Sequence, residues 1–239
     1  MGSKLWMLLL VAAAVVLAAS AGAQASLASF FDDIENYVVD ADIIGQAGPP
    51  GGWEGWDLVG TITAPVRDEY AYSGSKSVEI SSLNNTDLVH QFSGMTSGLW
   101  EISAMQYIPS GSTGNTYFIV MDQYTPVTGP YSWSCQMKAD MTNGVMVSDT
   151  PGGGSPLPLV FDEWAEIRVN VDLDALTADF YYNGDLLTSG SWTSSNIAAI
   201  DLYPETTSSV YYDNISLTPE PATLSLLALG GLALLRRRK

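Results

Sequence analysis

The sequence predicts an all-β body, two packed antiparallel sheets, with a signal helix ahead of it and a short apolar membrane helix behind it. Three observations carry this. Short runs alternating apolar and polar residues follow one another at hairpin spacing, punctuated by Gly, Asn, Ser and Pro. Asn183-Gly184 lies between two such runs and matches the two-residue turn that suits twisted antiparallel strands. No stretch of the body sustains a 3.6-residue apolar period, so helix is scarce there.

The amino end reads as an export signal over residues 1–25. Lys4 supplies its cation, Leu5 to Ala19 form an apolar run, and the small-x-small sites Ala21-Gly22-Ala23 and Ala23-Gln24-Ala25 follow. Ser20 stands where a lipoprotein would need cysteine, so amino-terminal lipidation is not expected. The export translocon and signal peptidase are the implied partners.

The body, residues 26–218, suits one large β-domain rather than two. Twenty-five of the 26 acids lie in it, against only Arg67, Lys76, Lys138 and Arg168, an excess of 21 negative charges. Nucleic acid and anionic lipid need the opposite surface, so no nucleic-acid partner is expected. Cys135 is the only cysteine, which excludes an intrachain disulfide. As a thiol nucleophile it would need His90, the only histidine; packing is the simpler role for a lone buried cysteine.

Strands are expected at Ser77–Ile80, Leu88–Phe92, Leu99–Ile108, Tyr117–Tyr124 and Ser132–Met137, with loops at Gly45–Gly52 and Thr150–Pro158. From Trp164 to Asp172 polar and apolar residues alternate strictly, as in a half-buried strand. Asp172-Leu173-Asp174-Ala175 turns the chain, Leu176–Tyr182 returns, and Asp185–Thr188 pairs back beyond Asn183-Gly184. Ala198–Tyr203 and Ser209–Leu217 close the domain.

Trp164, Asp172, Tyr181, Tyr182, Asn183-Gly184 and Asp213 resemble the closing strands of the concanavalin A-like, laminin-G-type jelly roll. A galactose-binding-like jelly roll is the competing sandwich. Either implies two sheets whose first and last strands lie side by side. On that arrangement Asp32, Asp33 and Glu35 at the start could meet Asp213 at the end around a structural Ca²⁺, which takes six to eight oxygens. The other reading of these acids is solvated strand ends. Asp172 and Asp174 are explained by turn preference, with metal binding as the lesser reading.

Trp53 and Trp56 flank a glycine beside a flexible loop, and Tyr131, Trp133 and Trp192 add rings. Exposed rings stack on sugars, so Trp53, Trp56 and Trp133 are candidate carbohydrate contacts; in a sandwich the alternative is core. Catalytic patterns are missing. Glycosidases of this fold carry Glu-x-Asp-x-x-Glu along one strand, and the nearest stretch, Asp162-Glu163-Trp164-Ala165-Glu166, departs from it. Gly-x-Ser-x-Gly and His-Glu-x-x-His do not occur either.

The tail begins with Pro219-Glu220-Pro221, continues through an uncharged run from Ala222 to Leu235, and ends on Arg236, Arg237, Arg238 and Lys239. As a helix the run would span ~21 Å, short of a ~30 Å bilayer core. The terminal cations favour the cytoplasmic side. Triplet, apolar span and basic end together resemble the PEP-CTERM sorting signal. The resemblance implies processing by an exosortase. It also implies passage through the inner membrane to the envelope or extracellular matrix of a Gram-negative bacterium that makes exopolysaccharide. The function expected is that of a non-enzymatic envelope or matrix protein associated with polysaccharide. The alternative is a carbohydrate-active hydrolase or lyase on the same fold.

Overall fold

Alternation in the sequence becomes alternation of burial in space. The computed structural model describes residues 29–150 and 153–220, and residues 29–218 cluster into one unit. The two expected terminal helices lie outside the described residues. Among the described residues no helix is long and apolar enough to cross a membrane.

The strands come in three groups. The first holds β1 (Phe30–Asp32), β2 (Glu54–Gly55), β3 (Val66–Arg67) and β4 (Ser77–Ile80). The second holds β5 (Leu88–Gln91), β6 (Leu99–Tyr107), β7 (Asn115–Tyr124), β8 (Tyr131–Asp140), β9 (Val145–Ser148) and β10 (Leu157–Pro158). The third holds β11 (Trp164–Asp172), β12 (Thr177–Tyr182), β13 (Asp185–Ser191), β14 (Ala199–Tyr203) and β15 (Val210–Pro219). One sheet runs β13-β12-β11-β6-β15-β4-β3, with β1 also paired to β15; the other runs β10-β9-β8-β7-β14-β5-β2. Every recorded pairing between strands is antiparallel. The result is the expected two-sheet jelly-roll sandwich.

β11 shows why the pattern works. Ala165, Ile167, Val169 and Val171 are buried and the residues between them are half-exposed, so one face feeds the core. β12 returns in register, Arg168 opposite Tyr181, and the guanidinium sits 4.2 Å from that ring centre. Asn183 and Gly184 both have positive φ, as the tight hairpin turn requires. Across the sandwich Phe118 of β7 stacks on Tyr212 of β15 with centroids 6.5 Å apart. Each such fully buried ring contributes roughly 1.5–3 kcal/mol through area removed from water.

The first and last strands lie side by side, Phe30 opposite Leu217 and Asp32 opposite Ile215. One expected loop is shorter than read: Leu157–Pro158 pairs with Met146 and Val145 as β10. Proline is tolerated there because β10 is an edge strand, where the missing N–H faces no partner.

Candidate functional site

β14 lies between β5 and β7. Its Ile200 and Leu202 are fully buried against the other sheet, while Ala199, Asp201 and Tyr203 alternate onto the opposite, outer face. That outer face is itself largely apolar. Val89, Ile119, Met121, Tyr124 and Ala199 form a cluster on it, with Trp56, Tyr117 and Tyr131 packed against them.

Two paired irregularities shape this face. In β7–β8, Val120 is opposite Cys135 but Met121 is opposite Trp133, so Ser134 has no partner; Asp122 is skipped likewise. A bulge shifts the side-chain alternation by one residue. Cys135, Met137 and Ala139 face the core, and without the bulge Trp133 would follow them inward. Instead Trp133 lies on the outer face and is 41% exposed. The two bulged residues hold each other, Ser134 Oγ donating to Asp122 Oδ1 at 2.7 Å.

The rings above the sheet are clamped by Asp57. Its carboxylate accepts from Tyr131 O–H at 2.7 Å and from Val127 N–H at 2.9 Å, and its own N–H donates to the Tyr124 hydroxyl at 3.0 Å. Asp57 has φ of 51°, a left-handed turn that aspartate tolerates better than most residues. Trp56 is thereby held over the sheet, nearly parallel to Trp133 with centroids 6.0 Å apart and planes 15° apart.

Between these rings and Tyr117–Tyr203 lies a cleft of about 290 Å³. Asp201 and Asp87 form its floor, and Gln136 and Glu205 also line it. Asp201 is 3% exposed, and Asp87 enters from the turn just before β5. The two carboxyl groups are hydrogen-bonded to each other, which requires a shared proton. Burial, then the neighbouring Asp87 charge, raises Asp201 well above the ordinary carboxylate range. Burial likewise pushes Asp87 up to about 6. Two carboxyl groups held this close titrate as one unit rather than as two independent aspartates. Apart from that mutual contact, no described residue donates to Asp201 Oδ1 or Asp87 Oδ1, and both oxygens are closed to solvent. The cleft therefore offers flat rings on two sides and a buried acid pair beneath them.

The structure separates the expected carbohydrate contacts. Trp56 and Trp133 meet in the cleft. Trp53 does not: it is 5% exposed, packs against Phe30 and His90, and spends its indole N–H on Asp32 Oδ2 at 2.8 Å. Trp192 is also core.

The calcium candidates Asp32, Asp33, Glu35 and Asp213 are not gathered as a set. Among the described residues no group of three or more acidic, histidine or cysteine side chains could hold a metal ion. Asp32 accepts from Ile34 N–H, the Tyr37 hydroxyl and Trp53; Asp33 accepts from Glu35 N–H. Glu35 accepts from Ser75, and Asp213 from the N–H groups of Tyr72, Ser73 and Asn214. Hydrogen bonds tie the chain ends where an ion was expected to. Asp172 Oδ1 accepts from Asp174 N–H and Ala175 N–H, the turn role.

Cys135 and His90 occupy one row across the sheet, Cys135–Val120–Ile200–His90. Three strand spacings put them roughly 14 Å apart, too far for a dyad. Both are buried, and His90 Nδ1 contacts Gly52 O at 2.7 Å.

Asp87 and Asp201 are absent from the sequence reading. The signal was there in Ala198-Ala199-Ile200-Asp201-Leu202-Tyr203: a strand apolar on both faces is covered on both faces, so an acid within it is a buried acid.

Comparison with known proteins assigns the tail first. Residues 217–239 match the family model for the PEP-CTERM protein-sorting motif. The chain ends in a PEP-CTERM sorting motif. The PEP-CTERM motif indicates export and exosortase processing, membrane-anchored, in a Gram-negative envelope. Pro219 and Glu220 of the motif are described; Pro221 and Arg236–Lys239 lie outside the described residues.

No curated protein matches the chain in sequence. Among solved structures, the catalytic domain of the glycoside hydrolase family 131 protein from Coprinopsis cinerea is similar at TM-score 0.52 and 13% identity, covering 79% of this chain and 93% of that one. The Trypanosoma cruzi calreticulin globular domain gives 0.49 and 8%, covering 87% and 94%. The alginate lyase from Corynebacterium sp. gives 0.49 and 15%, covering 74% and 91%. The Coprinopsis likeness is one of fold, a jelly-roll sandwich.

Proposed function

We propose that the body is a non-enzymatic glycan-binding domain, delivered by its PEP-CTERM motif to the envelope or extracellular matrix, where it associates with exopolysaccharide. The observation that carries this is the placement of Trp133. A bulge turns a large ring out of the core and holds it, 41% exposed, parallel to Trp56 at the mouth of a cleft also lined by Gln136 and Glu205. Leaving a large apolar ring in water is costly, and stacking on the apolar face of a sugar covers it.

Catalysis is the second reading, favoured by the raised proton affinity of Asp87 and Asp201. Their contact weighs against it. Glycosidases hold their two carboxyl groups at least about 5 Å apart to leave room for the sugar carbon or a water.

Incubating the purified full chain with the exopolysaccharide of its host and a panel of β-glucans separates the two. Retention of the chain on the polymer without new reducing ends or unsaturated products is the expected result. Shortened products would establish an enzyme instead, and no retention on any polymer would remove the glycan reading.

A further inference from the structure

From the two ring pairs set apart along one cleft, and the carboxylates that share its lining, we propose that the ligand is an uncharged linear glycan, several sugars long, laid along the strands from Trp56–Trp133 to Tyr117–Tyr203. This rests on the glycan-binding reading above and names its substrate class.

Strand register sets the distance between the pairs. Trp133 stands opposite Met121 of β7, and Tyr203 of β14 stands opposite Tyr117, four residues away along the same β7. At the rise of an antiparallel strand that is roughly 14 Å. Both pairs line the same cleft. A single sugar ring, about the size of the side-chain rings it covers, reaches one pair and not the other; a chain of sugars reaches both. Gln136 lines the cleft between them, in the row Asp201–Ile119–Gln136, and its amide can donate to hydroxyls and accept from them.

The second pair is built like the first. Asp57 holds the rings around Trp56, and Asp149 holds Tyr117, whose hydroxyl donates to its Oδ2 at 2.9 Å. Tyr203 lies beside Tyr117 with centroids 6.1 Å apart and is 37% exposed. Rings fixed before the ligand arrives lose little freedom on binding, so more of each contact is kept as affinity. Two such platforms, each with a ring open to solvent, fit a repeating ligand.

Charge narrows the class. Glu205 lines the cleft, and Asp149 stands at Tyr117. Of the body's cations, Arg67 and Arg168 belong to the other sheet, and Lys76 donates to the backbone carbonyls of Glu35 and Tyr37. Lys138, opposite Tyr117, is held at 3.0 Å by Asp149. A uronate or sulfated sugar would therefore bring its charge against like charges, with no unpaired cation to offset it. An amino sugar gains nothing from the floor, where Asp87 Oδ1 and Asp201 Oδ1 are closed to solvent. What the cleft satisfies is flat sugar faces and hydroxyls.

Isothermal titration of the purified full chain tests this with a series of β-linked glucose oligomers from monomer to hexamer. A uronate tetrasaccharide, a glucosamine tetrasaccharide and the host exopolysaccharide complete the set. Affinity is expected to rise at least about fivefold from the glucose disaccharide to the tetrasaccharide and then level off, as a second aromatic contact provides. The uronate tetrasaccharide is expected to bind at least about tenfold more weakly than the glucose one. Tyr203→Ala is expected to cut tetrasaccharide affinity at least about fivefold and flatten the rise with length. Should that variant lose its near-UV circular dichroism, the wild-type length series decides alone. Equal binding of disaccharide and tetrasaccharide overturns the two-platform chain. A charged tetrasaccharide binding as tightly as the glucose one overturns the uncharged class. Either outcome leaves the glycan reading standing, as does binding of the host exopolysaccharide but of no glucose oligomer, which also overturns the assignment. Binding of none of these probes overturns both readings.

Discussion

Trp133 is exposed where Ser134 and Cys135 beside it are buried, so its removal separates binding from folding. Trp133→Ala is expected to weaken glycan binding at least about tenfold while shifting the melting temperature by less than about 3 °C. Titration and thermal unfolding of one preparation check both halves. A matching change at Tyr72, exposed and carried by the loop that Asp213 binds, is expected to leave glycan affinity unchanged. Asp87 and Asp201 make a prediction about pH. Folded Asp87 holds a proton that an unfolded aspartate loses above about 3.9. Its contribution to stability is therefore full below that value and is lost as pH rises through about 6. Melting curves should show wild type gaining on D87N/D201N by at least about 2 °C at pH ~5 relative to pH ~8. Parallel curves across that range would contradict the raised proton affinity of Asp87. The variant comparison removes the general effect of a body that repels itself less as its acids are neutralised.

At the scale of single elements, the paired bulges of β7 and β8 decide the site. Ser134 Oγ donates to Asp122 Oδ1, and Asp122 is wholly buried with Oδ2 already unpartnered. Ser134→Ala should therefore cost roughly 1–3 kcal/mol and weaken glycan binding, since the bulge that turns Trp133 outward loses its lock. Denaturant unfolding and titration measure the two effects. The tie between the chain ends predicts a larger stability loss and no binding change. Asp213→Ala strips the acceptor from three N–H groups and should cost roughly 2–4 kcal/mol.

These elements also mark how far the sequence could be read. Strands whose alternation is uninterrupted were legible to within a residue or two, as with Ser77–Ile80 and Trp164–Asp172. So was the Asn183-Gly184 turn, because its chemistry is local. Trp133 could be nominated as a sugar contact but not placed, because a bulge is set by the partner strand. Asp87 and Asp201 stand 114 residues apart in the numbering and meet only through the pairing of β5 with β14. The calcium reading placed β1 beside β15 correctly. It missed that loop N–H groups, whose positions no spacing rule gives, would fill those carboxylates.

Over the whole molecule, charge and tail point the same way. The 21 excess negative charges of the body suit an exported protein that avoids anionic surfaces. The PEP-CTERM motif supplies the address, and its basic end supplies the only concentrated positive charge. Mass spectrometry of the protein recovered from the envelope should show loss of Arg236–Lys239 and of the apolar run before it; an intact basic end would indicate a permanent anchor. The cleft itself is tested most directly by nuclear magnetic resonance of the tryptophan indole N–H groups during titration with the host exopolysaccharide. Trp56 and Trp133 signals should move together and saturate, while those of Trp53, Trp100 and Trp192, locked in the core, stay in place. Saturable movement confined to Trp164, on the other sheet, or no movement of Trp56 and Trp133, would contradict a glycan site on the outer face of the seven-stranded sheet.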